Sequence, residues 1–274
     1  MLPLLNKWLG HFLFKSSPQV TTILNQKTAL VITSISAPNR VLEDYAVGCG
    51  KHGVEYLVIG DTKSPTEFYL PGCDFYSVKT QKELSFKLAG ITPERHYSRK
   101  NLGYLIAIRN GAEVILETDD DNFALEPFWE ERKPSHQAHL LDQKSWVNVY
   151  SYYSDQRIWP RGFALEHLHD AVPPLNAISY SDTYCPIQQG LANENPDVDA
   201  IYRLILPLPV NFIDGPNVAL GAGTWCPFNS QNTTWFRAAF PLLYLPSYCS
   251  FRMTDIWRSF VTQRIGWELS LIHI

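Results

Sequence analysis

Apolar runs of strand length, spaced by helical patterns, limit what this chain can build. "TALVITSIS" (28–36) is rich in β-branched residues and has the length of a buried strand. "APNRVLEDYAVGCGKHG" (37–53) follows, with Pro38 near a helix start and Gly50 and Gly53 near its end. Lys51 and His52 sit where they meet the negative end of the helix dipole. "VEYLVIGD" (54–61) reads as a second buried strand. Strand, helix and strand within about 35 residues form a βαβ unit, which implies a parallel sheet covered by helices. "RKNLGYLIAIRNG" (99–111) predicts another helix, with Leu102, Leu105 and Ile106 on one face, Tyr104 and Ile108 beside it and Gly111 as its cap. "AEVILETDDDN" (112–122) predicts the next strand, and three consecutive aspartates lie at its C-terminal end.

Three adjacent carboxylates repel one another unless something positive sits among them. Ligands of open α/β sheets bind beyond the carboxyl ends of the strands, which is where these acids fall. If the strand runs through them, Asp119 and Asp121 share a side and Asp120 points away. Two carboxylates on one side suit a hard cation, Mn²⁺ or Mg²⁺, which takes its remaining ligands from water and phosphate oxygens. A solvated acidic turn, or Asp121 capping "NFALEPFW", is the plainer alternative. A second D-x-D, in "PDVDA" (196–200), follows the loop "LANENP" and lacks the strand context.

At 274 residues and 45% hydrophobic, the chain suits one large domain over 28–270 after an N-terminal segment, 1–27. The domain divides into two halves, 28–125 and 126–270. The second half is richer in Pro and aromatics and predicts a long-looped mixed region over the same sheet. A net charge of −4 argues against a nucleic-acid partner. Five dispersed cysteines without a CxxC pair read as reduced thiols, which points to the cytoplasm. "MLPLLNKWLGHFLFK" is broken by polar residues and falls short of the roughly 20 apolar residues that span a bilayer. It reads as a packing or interfacial segment, compatible with peripheral membrane contact. His136 and His139, and His167 and His169, lack the companions of a zinc site. The sequon "NTT" (232–234) is short enough to arise by chance. Walker and GxSxG motifs are absent.

"RKNLGYLIAIRNGAEVILETDDDN" resembles the signature of the STELLO-type glycosyltransferases, which in turn resemble the UDP-arabinopyranose mutases. "WPRGFALE" (159–166) is similar to the mutases' aromatic-Pro/Lys-Gly-Tyr-Pro segment. "QGLANENPDVDAIYRL" (189–204) is similar to their "HGLW-N-PDYDAPTQL", and "FRMTDIWRSF" (251–260) to their "DDMW" segment. The resemblance covers about residues 28 to 262. It implies an α/β, A-type glycosyltransferase fold: a Rossmann-like, mixed but mainly parallel sheet with helices on both faces. It also implies a nucleotide-sugar donor and a divalent metal.

Carried over residue by residue, the resemblance makes Asp119, Asp120 and Asp121 ligands of metal and donor diphosphate, with Asp119 and Asp121 on the metal. Ser34 and Ser36 after the first strand, and Asp61 and Lys63 after the second, then cradle base and ribose. Arg99 and Lys100, at the start of a helix, suit phosphate. Asp255 becomes the general base, or the group steadying an oxocarbenium-like sugar; its plainer reading is a helix cap. Trp225 and Trp257 could stack on a sugar, although core packing is the plainer reading. Where the mutases carry "LREG", this chain reads "LEHLHD" (165–170), and Thr254 replaces the first Asp of their pair. Both departures favour transfer to an external acceptor (sugar, lipid or protein) over a mutase. A mutase and a non-catalytic nucleotide-sugar-binding scaffold remain the alternatives; oligomeric state is not legible.

Overall fold

The computed structural model describes residues 26–268. The expected N-terminal interfacial segment falls almost wholly outside them. Along the chain come β1 (Thr28–Ser34), α1 (Arg40–His52), β2 (Glu55–Gly60), β3 (Asp74–Tyr76), α2 (Val78–Lys82), α3 (Lys100–Arg109) and β4 (Val114–Thr118). The second half adds β5 (Ser135–Leu141), β6 (Tyr180–Tyr184), β7 (Ile187–Gln189), α4 (Ala200–Ile205), β8 (Val218–Leu220), β9 (Asn232–Phe236) and α5 (Thr254–Glu268).

The main sheet has six strands in the order β3-β2-β1-β4-β9-β7. β1 to β4 are parallel; β9 runs antiparallel to β4, and β7 antiparallel to β9. The chain moves outward from β1 to β3, and α3 then returns it to β4 on the other side of β1. Strand order therefore reverses between β1 and β4. Alternation along β1 explains the layers. Leu30 and Ile32 pack with Val41, Leu42 and Tyr45 of α1, while Ala29 and Val31 pack with Tyr104, Ile106 and Ala107 of α3. The result is a mixed α/β fold, its mainly parallel sheet flanked by helices, as the sequence predicts.

Local chemistry sets the boundaries. The Asn39 side chain accepts from Leu42 N at 2.9 Å and caps α1, and Gly53 ends it in the left-handed region at φ 67°. A Cβ on Gly103 would lie 2.5 Å from Val31 and 2.8 Å from Ile59, so the missing side chain lets α3 sit close on the sheet. α3 is buried around most of its surface, but Ile108 is exposed. The first strand ends at Ser34, two residues short of expectation. The fourth ends at Thr118, before the aspartates, which lie in a turn.

The second half does more than cover the sheet. It supplies β7 and β9, and it builds its own three-stranded sheet, β6-β5-β8. The "NTT" sequon lies within β9, where Thr233 and Thr234 are buried.

One charged side chain interrupts the apolar run of β4. Glu117 is fully buried, with Arg258 Nη2 of α5 at 2.6 Å, Trp235 Nε1 donating at 2.8 Å and Lys100 Nζ at 3.8 Å. The Tyr104 hydroxyl also donates to it. Burial pushes the Glu117 carboxyl up, but Arg258 and Lys100 outweigh it and hold the group below its ordinary value. Glu117→Gln should destabilise the protein by about 3–5 kcal/mol in urea denaturation, because Arg258 is left buried without its counter-charge. Glu117→Leu combined with Arg258→Met should lose less than Glu117→Gln alone.

Candidate active site

Each aspartate of the triplet has a different neighbour. Since β4 stops at Thr118, strand alternation does not govern them, and the expected pairing of Asp119 with Asp121 on one strand face has no backbone basis. Asp119 Oδ1 accepts from the Tyr97 hydroxyl at 2.7 Å, and Lys100 Nζ lies 3.8 Å away. Asp120 Oδ2 accepts from Ser34 Oγ at 2.5 Å, and the Asp120 carbonyl accepts from Asn39 Nδ2 at 3.1 Å. Ser34 at the end of β1 thus fastens the turn across the point where strand order reverses. Asp121 is exposed and meets Asn122 Nδ2 at 3.2 Å. Asp121 does not cap a helix: the next one is a short 3₁₀ turn, Glu126–Trp129, with Leu125 before it.

The other expected donor ligands divide into two groups. Ser36 N donates to Ser34 Oγ at 3.1 Å, and Lys63 is exposed beside the same loop. Asp61 is turned to structure: its carboxylate accepts from the backbone amides of Thr62, Arg95 and His96 at 2.7, 2.9 and 3.0 Å. It holds the loop rather than presenting free oxygens to a ribose. Arg99 also turns inward. It is 1% exposed and donates to Gln81 Oε1 at 2.8 Å and to the Thr92 carbonyl at 3.2 Å, facing the interior rather than a phosphate. Lys100 is buried below the triplet, donating to the Tyr97 hydroxyl at 2.8 Å and the Thr118 carbonyl at 2.9 Å.

A second cluster was missed in the sequence. Arg161 Nε and Nη2 reach the two oxygens of Asp197 at 2.7 Å each, and Nη2 also reaches Asp255 Oδ2 at 2.7 Å. The remaining Asp255 oxygen accepts from Ile256 N at 3.0 Å, one residue on, rather than from the second or third amide that a helix cap would serve. Asp255 is 6% exposed. Burial pushes Asp197 up, and Arg161 opposes it. Each member comes from a different one of the three resembling segments, and that was the available signal. "PDVDA" divides its roles: Asp197 joins Arg161, while Asp199 caps α4 and accepts from the Trp159 indole. Gln231 ties the clusters together, donating to Asn122 Oδ1 at 3.0 Å and accepting from Asp197 N at 3.1 Å.

A cleft of about 790 Å³ opens beside Asp121, between the β7–β9 edge of the sheet and the second half. Asp119, Asp120 and Asp255 lie outside its lining. The histidines take local roles: His139 packs on Tyr180 at 4.7 Å, and His167 meets Asp170 at 2.6 Å. Trp225 packs against Trp267 at 4.4 Å, whereas Trp257 is half exposed. Among the described residues no group of three His, Cys, Asp or Glu side chains is placed to hold a metal ion. A cation at Asp119 and Asp121 must therefore draw ligands from water or a bound anion.

A mainly parallel sheet flanked by helices, with acids where its strand order reverses, defines an α/β protein of the glycosyltransferase type. The chain is a STELLO-type homologue. It is 31% identical to "Probable glycosyltransferase STELLO2" and 30% identical to "Probable glycosyltransferase STELLO1", both of Arabidopsis thaliana. Each match covers 79% of this chain and 31% of the relative, so the chain spans about a third of the length of the curated relatives it matches. No protein-family model matches the chain.

Loss of hydration raises the Asp119 carboxyl from 3.8 to about 6, with Lys100 and Tyr97 opposing the rise. The folded state therefore holds this proton more tightly than the unfolded chain. Its stabilising effect is complete below the unfolded value and is lost as pH rises through about 6. The side chain keeps 35% of its surface, so screening softens the effect. In EDTA at pH 7.5, Asp119→Asn should raise Tm by a few degrees, and the gap should narrow as pH falls from 6 towards 4, as followed by thermal melts.

Proposed function

We propose that this chain is a glycosyltransferase domain that binds a nucleotide-sugar donor, UDP-linked, through Mn²⁺ or Mg²⁺ on Asp119 and Asp121. The observation that carries this reading is the acidic turn at the carboxyl end of β4, fastened to Ser34 where strand order reverses. The donor set fits a hard cation. Asp121 is exposed, and Asp119 is a carboxylate whose burial is not fully offset by Lys100 at 3.8 Å. When bound, the cation supplies charge neutralisation for the departing diphosphate.

The chain's own residues do the rest. Ser34 and Asn39 fix Asp120 and so hold the turn in register. Ser36 and Lys63 lie at the neighbouring loop ends, placed for the nucleoside. Asp255, held in orientation by Arg161, takes the proton of the acceptor hydroxyl as the sugar is transferred. The five unpaired cysteines suit a reducing, cytoplasmic setting. No helix among the described residues is long and apolar enough to cross a membrane; peripheral attachment through the N-terminal segment is part of this reading.

Mn²⁺ should strengthen UDP binding in calorimetry, and Asp121→Asn should remove that enhancement without changing Tm. Equal UDP affinity in EDTA and in Mn²⁺ would overturn the metal assignment. Asp255→Asn preserves shape but removes the base, so kcat should fall about 10²–10⁴-fold while UDP affinity holds. Full transferase activity in the purified variant would remove Asp255 from the chemistry.

A further inference from the structure

The cleft beside Asp121 has a lining chemistry of its own. Nine of its 35 lining residues are Asn or Gln. Several are committed to the protein: Gln231 is fully engaged, and Asn193 Oδ1 accepts from Phe212 N at 2.9 Å. Asn211 is exposed, and neither it nor Asn232 makes a side-chain hydrogen bond among the described residues. A free carboxamide offers a donor pair and an acceptor in one plane, which matches adjacent hydroxyls. Phe123, next but one to Asp121, is 55% exposed on the same wall, and Tyr153 lines the cleft too. An exposed ring in one lining with free amides gives an apolar sugar face something to stack on and its hydroxyls something to bond.

Charge excludes the other classes. The lining carries Asp121, Glu130, Glu131 and Glu194 against a single Arg132. That arginine is spent on the carbonyls of Pro127, Phe128 and Glu130 and on the Thr234 hydroxyl. A lipid phosphate or an acidic glycan would meet four carboxylates and no free cation. A neutral sugar is attracted, because carboxylates accept strongly from hydroxyls.

We propose that this cleft binds a neutral oligosaccharide, a site that stands independently of the transferase reading. The probes are neutral tetrasaccharides of gluco, manno, galacto and xylo configuration, with tetragalacturonate and phosphatidylglycerol vesicles as anionic counterparts. Binding is measured by titration calorimetry and ligand-observed NMR without nucleotide, and UDP with Mn²⁺ is titrated separately. At least one neutral tetrasaccharide should bind. Phe123→Ala and Asn211→Ala should each weaken it by about 2- to 10-fold, the scale of one modest contact, with UDP affinity and Tm unchanged. Binding of tetragalacturonate or vesicles in preference to every neutral probe overturns the proposal, as does binding of none. So does a neutral probe whose affinity neither variant changes. A neutral sugar that binds to a protein with no affinity for UDP and Mn²⁺ sinks the donor reading and leaves this one standing.

Discussion

The buried pair of Glu117 and Arg258 governs how the two halves of this chain meet. Glu117 belongs to β4, the strand that delivers the aspartates, and Arg258 belongs to α5, which begins with Asp255. A 2.6 Å charge-assisted bond in a fully buried setting tolerates little displacement, since either partner alone would be a stranded charge. Tyr104, Trp235 and Ser230 Oγ complete the hydrogen bonding, and Lys100 extends the positive field upward to Asp119. The acids at the strand end thus sit on a layer of alternating charge. Asp119 remains incompletely compensated there, with its pKa near 6.

Much of the fold was legible because its signals are local. The β-branched runs, Pro38 and Gly53 each mark a boundary by their own chemistry, and two apolar strands around one helix leave few topologies. The partners that the sequence did not show share a cause as well. Asp61 and Arg99 are polar residues at element ends, where solvent or ligand is the default partner. In the fold, non-local partners claim them: the amides of Arg95 and His96 for the first, Gln81 for the second. Strand alternation failed at Asp119 to Asp121 because the ladder to β9 ends with Thr118 paired to Asn232. Beyond the last rung nothing enforces a period of two.

The site was legible in part for the same reason. The acidic triplet announces itself by adjacency, an unusual local feature. Arg161, Asp197 and Asp255 lie up to 94 residues apart in sequence, and only the fold brings them together. Glu117 gave a fainter sign: a carboxylate within a run of five buried strand residues requires a buried cation, although its spacing does not say which.

Gln231 touches both regions at once. Its side chain bonds Asn122, directly after the three aspartates, and also the 195–197 loop, which reaches the cleft at Asn195 and carries Asp197. One rigid amide with all its hydrogen-bonding groups engaged cannot follow one neighbour without disturbing the other. If a donor binds beside the aspartates and a sugar fills the cleft, Gln231 links the two sites, and any coupling between them is reciprocal. Whatever factor a bound donor contributes to affinity in the cleft, the cleft's occupant returns to the donor.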